Sequence, residues 1–192
     1  MQATRIIRDE HRSLATVLHG LQYLVRQIRF HLAEPDFALF RAMVYYIDAF
    51  TERFHHPKED EYLFQRLRMR DPAAAALLDR LHQDHVVGAD KIRLLIQALR
   101  RYEQRGDVWF PAFAEIIGDY AAFHWDHMQR EETEVLPLAE QFLTSADWNE
   151  IDAAFMGHTD PLFGEYVVDH YDELFSRIVK LAPPPLGTGP SP

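Results

Sequence analysis

From Ile7 onward the positions Ile7, His11, Leu14, Leu18, Leu21, Val25 and Ile28 step by four and three, which puts them on one face of a helix. His11 therefore lies on a stripe predicted to be buried. A second helix is predicted from near Asp36, after Glu34-Pro35, through Phe40, Val44, Ile47, His55, Glu59, Leu63 and Leu67, ending around Met69 to Asp71. Asp71-Pro72 joins a capping side chain to a proline at the first helical position and so opens a third helix. Its stripe is Leu78, Leu81, His85, Gly88, Ile92, Leu95 and Leu99, with Gly106 as its C-terminal stop. The fourth carries Phe113, Ile117, Tyr120, His124, His127, Glu131 and Leu138 at the same spacing, with Pro111 near its start.

Four long amphipathic helices joined by short polar loops predict an all-α fold, an antiparallel four-helix up-and-down bundle over residues 1–143. Two additional C-terminal helices are expected. Thr144-Ser145 would cap one containing Trp148, Ile151 and Phe155, and Asp160-Pro161 would start another with Leu162, Tyr166, Leu174 and Ile178. Their aromatic residues need cover, so residues 144–182 are expected to pack on the bundle or to form a subunit contact, such as a homodimer. The final residues 183–192, PPLGTGPSP and the proline before them, have no core-forming content and are expected to be disordered.

At 192 residues and 47% hydrophobic content, the chain can bury one sizeable core. It has no cysteine, which excludes disulfides, thiolate zinc sites and cysteine-ligated iron-sulfur clusters. Any metal must be held by nitrogen and oxygen. A net charge of −10 argues against a nucleic-acid partner, whose phosphates are bound through lysine and arginine. The N-terminal MQATRIIRDEHRSL interrupts its apolar residues with charges, and no run of 18 apolar residues follows, so no membrane span and a cytoplasmic location are expected.

The stripes carry a pattern that occurs twice. Glu10-His11 is followed by His55 and Glu59, and Asp84-His85 by His127 and Glu131, with intervals of 44 and 42 residues between the first and second histidine of each copy. Residues four apart share a helix face, so each His/Glu pair can present a nitrogen and an oxygen to one point. Neutral imidazole and carboxylate suit iron, manganese or zinc, and a carboxylate can bridge two ions. With Glu59 and Glu131 as bridges, His11 and His55 could serve one ion while His85 and His127 serve the other; spacing leaves that pairing open. A carboxylate on an apolar stripe requires compensation, by a cation or by a hydrogen-bonded network, and two matching halves favour the cation.

The stretches Asp9-Glu10-His11, FHHPKEDEYLF from Phe54 to Phe64, Gln83-Asp84-His85 and FHWDHMQREETEVLP from Phe123 to Pro137 resemble the hemerythrin-like, or HHE cation-binding, family over residues 3–143. The resemblance implies two iron ions in a non-haem di-iron centre, bridged by two carboxylates and usually an oxo or hydroxo group. It implies His11 as the first-helix ligand, His55 and Glu59 in the second, His85 in the third, and His127 with Glu131 in the fourth. Oxygen carriers of this kind resemble a five-histidine pattern with two third-helix histidines four apart, whereas Leu81 stands four before His85 here. Their last carboxylate lies five after its histidine, the spacing of Glu132; Glu131 matches the His55 to Glu59 interval and is preferred.

His124, one turn before His127, and His82, three before His85, are candidate additional ligands. His56 points about 100° away from His55 and is expected at the surface. His19, His31, His158 and His170 lack partners at ligand spacing. Pro57 should bend its helix, and Tyr120 could hydrogen-bond a bound oxygen species. The expected function is small-ligand binding (O2, NO or peroxide) at the di-iron centre, in sensing, stress response or iron handling. The rivals are a di-iron enzyme, peroxidase-like or NO-reducing, and a helical interaction module with a structural metal.

Overall fold

A computed structural model describes residues 1–157 and Lys180. Among them the fold is all-helical, with no strand. Helix α1 spans Ala3–Arg29. Helix α2 (37–70) runs unbroken from Phe37–Tyr46 to Gln65–Arg70, with two wide π segments, Ile47–His55 and Glu59–Phe64, inside it. Helix α3 spans Ala75–Arg105 after a 3-10 turn at Pro72–Ala74, and α4 (110–142) contains a third π segment at Glu131–Val135. A shorter helix, α5, follows at Ser145–Met156.

The boundaries follow from local chemistry. Asp36 caps α2 by accepting from the Leu39 N–H at 2.9 Å, and Asp71 accepts from the Ala73 N–H at 3.1 Å. Gly106 ends α3 at φ 69°, a conformation that costs glycine little. The π segments Ile47–His55 and Glu131–Val135 each stop two residues before a proline, Pro57 and Pro137. Proline has no N–H for the carbonyl four residues back, and its ring crowds that carbonyl, so the preceding turn widens.

The helices pack in a closed order, α1 beside α2 and α4, and α3 beside α2 and α4. Two apolar clusters form along them. One gathers Leu14, Leu18, Phe40, Phe50, Ile92, Leu95, Phe113 and Tyr120; the other gathers Ile7, Leu63, Leu67, Leu78, Leu81, Val135, Leu136, Ile151 and Phe155. In every long helix the sequence passes from one cluster to the other across the His/Glu residues. The polar layer is therefore clamped between two dry layers.

Helix α5 closes the end formed by the second cluster. Thr144 and Asp147 make a reciprocal capping box, in which the Thr144 backbone N–H donates to Asp147 at 2.9 Å. Asp147 is also gripped by Arg70 through Nε and Nη2, at 2.8 and 3.0 Å. Asp152 accepts from the Ala3 N–H at 2.7 Å. The anticipated helix after Asp160-Pro161 and the tail at 183–192 lie outside the described residues. Because Asp147 is a buried cap and an ion-pair partner at once, Asp147→Ala should cost about 2 kcal/mol. Chemical denaturation should show a lower midpoint at an unchanged slope; an unchanged midpoint would contradict this role of α5.

Candidate metal centre

Each long helix contributes side chains to the layer between the clusters: His11 from α1, His55 and Glu59 from α2, His85 from α3, His127 and Glu131 from α4. All six are buried. Their ligand atoms fall into two groups of four, His11, His55, Glu59 and Glu131, and His85, His127, Glu59 and Glu131, each with its atoms within 4.8 Å of one another. Both groups share the two glutamates. His11 Nε2 lies 3.3 Å from Glu131, and His55 Nε2 lies 3.4 Å from Glu59. His85 Nε2 is 3.5 Å from Glu131 and 3.7 Å from Glu59, while His127 Nε2 is 3.2 Å from Glu131 and 3.1 Å from His85 Nε2.

The outward nitrogens follow one rule. Each histidine turns Nδ1 toward a carboxylate on the neighbouring helix: His55 to Glu10 at 2.7 Å, His85 to Asp60 at 3.1 Å, His127 to Asp84 at 3.7 Å, and His11 to Glu132 at 2.9 Å. The acid next to each candidate ligand in sequence thus faces a histidine of the next helix, α1 to α2, α2 to α3, α3 to α4 and α4 to α1; Glu10 and Glu132 hydrogen-bond theirs, while Asp60 and Asp84 meet theirs as charge contacts. Carboxylates behind metal-binding histidines set ring orientation and leave Nε2 bare for an ion. Lys58 and Arg130 in turn face Glu10 and Asp84, at 3.4 and 2.8 Å.

All four carboxylate oxygens of Glu59 and Glu131, and His11 Nε2, are buried without a hydrogen-bond partner. Leaving such groups uncompensated in a dry layer costs several kcal/mol each, and a cation at their common point removes that cost. The donor set of imidazole nitrogen and carboxylate oxygen suits iron, manganese or zinc. The residues present fit a metal.

Burial, then the negative charges of Glu131 and Glu10, push Glu59 well above the usual carboxylate range. Burial acts on Glu131 in the same direction, but His127, His11 and His85 outweigh it and hold that carboxyl well below its usual range. Burial pulls His127 down, yet Glu131 and Asp84 more than reverse this and raise it to about 9. Burial holds His55, His56 and His124 well below the ordinary histidine value, which keeps them neutral.

A family model described as the hemerythrin HHE cation binding domain matches residues 2–139. The chain belongs to the hemerythrin HHE cation-binding family. Comparison with curated proteins and with solved structures gives no match. Membership agrees with the cluster: this hemerythrin-like chain brings together His, Glu and no sulfur ligand at one buried point.

Several sequence expectations change. His82, a candidate ligand of this hemerythrin-like domain, is 60% exposed and contacts Asp60 at 3.0 Å, outside the ligand groups. Three residues is less than a full turn, which carries it past the buried stripe. His124 is fully buried but also lies outside those groups. His56, expected at the surface, is buried: its ring stacks on His85 with centroids 4.2 Å apart, and its Nδ1 meets Glu52 at 3.2 Å. Tyr120 donates to Glu52 at 2.8 Å rather than to the centre. Glu132, the alternative bridge, serves His11 Nδ1 instead. Glu52 escaped notice altogether, although its place four residues before His56 is a legible pairing.

A coordinating histidine must be neutral, so a cation held by His127 would displace its proton. In the ion-free protein its raised value stabilises the fold fully below the unfolded value of about 6.5, and that contribution is lost as pH rises through about 9. Cation affinity should therefore climb with pH up to that range. Calorimetry at pH 7 in buffers of different ionisation enthalpy should report net proton release on metal binding; proton uptake would contradict the assignment.

Proposed function

We propose that this hemerythrin-like protein carries a non-haem di-iron centre, bridged by Glu59 and Glu131, in an up-and-down four-helix bundle. His11 and His55 hold one ion, and His85 and His127 the other. The observation that carries this reading is the pair of four-ligand groups that share two buried carboxylates without hydrogen-bond partners. The centre binds a small exogenous ligand (O2, NO or peroxide), in sensing, stress response or iron handling in the cytoplasm. Iron would supply redox change and open coordination positions; the chain supplies ligand orientation, exclusion of water and charge balance.

Four protein ligands to each ion, with two shared, leave unfilled positions in a six-coordinate sphere, and Leu81 supplies no further third-helix histidine. This favours ligand exchange over a closed structural site. A cleft of about 360 Å³ between α1 and α4 reaches the outer side of His11 and is walled by Trp125, Met128, Gln129 and Glu132. No helix among the described residues is long and apolar enough to cross a membrane.

Protein purified after iron loading should contain two irons per chain and show oxo-to-iron charge-transfer bands that move on addition of azide. A folded, colourless protein without metal would contradict the reading. Glu59→Ala and Glu131→Ala each remove a ligand from both groups, so either variant should lose about both irons rather than one.

A further inference from the structure

His56 is a buried histidine that the proposed centre does not use. A ring nitrogen of His56 lies within 4.8 Å of ligand nitrogens of His85 and His127, which suggests a third histidine for that ion. The ring geometry excludes it. The two rings are parallel to within 10° with centroids 4.2 Å apart. An imidazole lone pair lies in its ring plane, so an ion in the plane of His85 lies out of the plane of His56. His56 stands beside the ion and cannot ligate it together with His85.

Its orientation is built rather than incidental. Glu52 accepts from His56 Nδ1 at 3.2 Å through one carboxylate oxygen and from the Tyr120 hydroxyl at 2.8 Å through the other. Gly88 makes room for this carboxylate: a Cβ there would meet both Glu52 oxygens, at 3.3 and 3.4 Å. A carboxylate only accepts, so it fixes the His56 proton on Nδ1. The remaining nitrogen of His56 is left to accept, on a ring one of whose nitrogens lies within 4.8 Å of ligand nitrogens of His85 and His127.

We propose that His56, set by Glu52, presents a hydrogen-bond acceptor to the exogenous ligand of the ion held by His85 and His127, and so selects ligands that carry a proton, water or hydroperoxide, over proton-free anions. His56 is a specificity determinant, and Glu52 and Tyr120 are its positioning residues. The inference rests on the di-iron reading above.

Glu52→Gln tests it by reversing the polarity. The glutamine oxygen still accepts from Tyr120, while its NH2 faces His56 Nδ1 and drives the ring proton to the other nitrogen, turning the acceptor into a donor. The iron-loaded ferric full-length protein should then bind azide about tenfold or more tightly than the unmodified protein. The infrared antisymmetric stretch of bound azide should shift in D2O for E52Q and not for the unmodified chain. His56→Phe keeps the stacked ring and removes the nitrogen; it should bind azide at least as tightly as the unmodified protein. The double variant H56F/E52Q should be no tighter than H56F, which separates the hydrogen bond from simple loss of the Glu52 charge.

Iron analysis of each protein distinguishes the two levels of failure. An unmodified chain without iron overturns the di-iron reading and this inference with it. Protein with two irons per chain whose azide affinity is unchanged in E52Q, or weakened in H56F, overturns the inference and leaves the centre intact. An E52Q gain that persists in the double variant also overturns it.

Discussion

Two carboxylates without hydrogen-bond partners, Glu59 and Glu131, stand in a layer sealed above and below by apolar side chains. Their burial costs free energy that is offset by a proton on the carboxyl itself, the direction in which Glu59 is pushed, or by positive charge at the same depth, on the surrounding histidines or as a bound cation. Burial opposes charge on the histidines, yet the neighbouring carboxylates raise His11 and His85 above their ordinary value and His127 to about 9. A cation bound at this point would displace those protons, because imidazole must be neutral to coordinate. The same six side chains thus connect folding, charge and function.

The ring of acids behind the histidines explains how four separate helices hold so strict an arrangement. Glu10, Asp60, Asp84 and Glu132 each belong to one helix and face a histidine of the next, Glu10 and Glu132 through hydrogen bonds and Asp60 and Asp84 through charge contacts. A displacement of any helix would disturb two histidines, its own and its neighbour's. The wide π turns contribute locally. Two of them begin at Glu59 and Glu131, so the chain departs from regular α geometry at the two carboxylates common to both groups.

Much of this was legible from periodicity. Stripes of period 3.6 located the four long helices, and the Asp36, Asp71 and Gly106 signals marked their ends, because burial and capping act over one or two turns. The six central residues stood out because each interrupts an apolar stripe with a polar group. Spacing could not rank His56, since a deviation of 100° from the stripe reads as exposure when the helix is regular and its flank is open. Here that flank faces α3, and His56 stacks on His85 instead. His82 erred in the opposite direction. Glu52 stands at the legible spacing of four before His56, but with His56 read as exposed that pairing carried no weight, and its other neighbours, Tyr120 and Gly88, come from two other helices.

The carboxylate-bridged pair of cations is tested most directly by anomalous scattering at the iron edge, on crystals of the protein as isolated. The account predicts two iron peaks between Glu59 and Glu131, one beside His11 and His55 and the other beside His85 and His127. A single peak, a peak elsewhere, or well-ordered glutamates with no anomalous signal between them would contradict it.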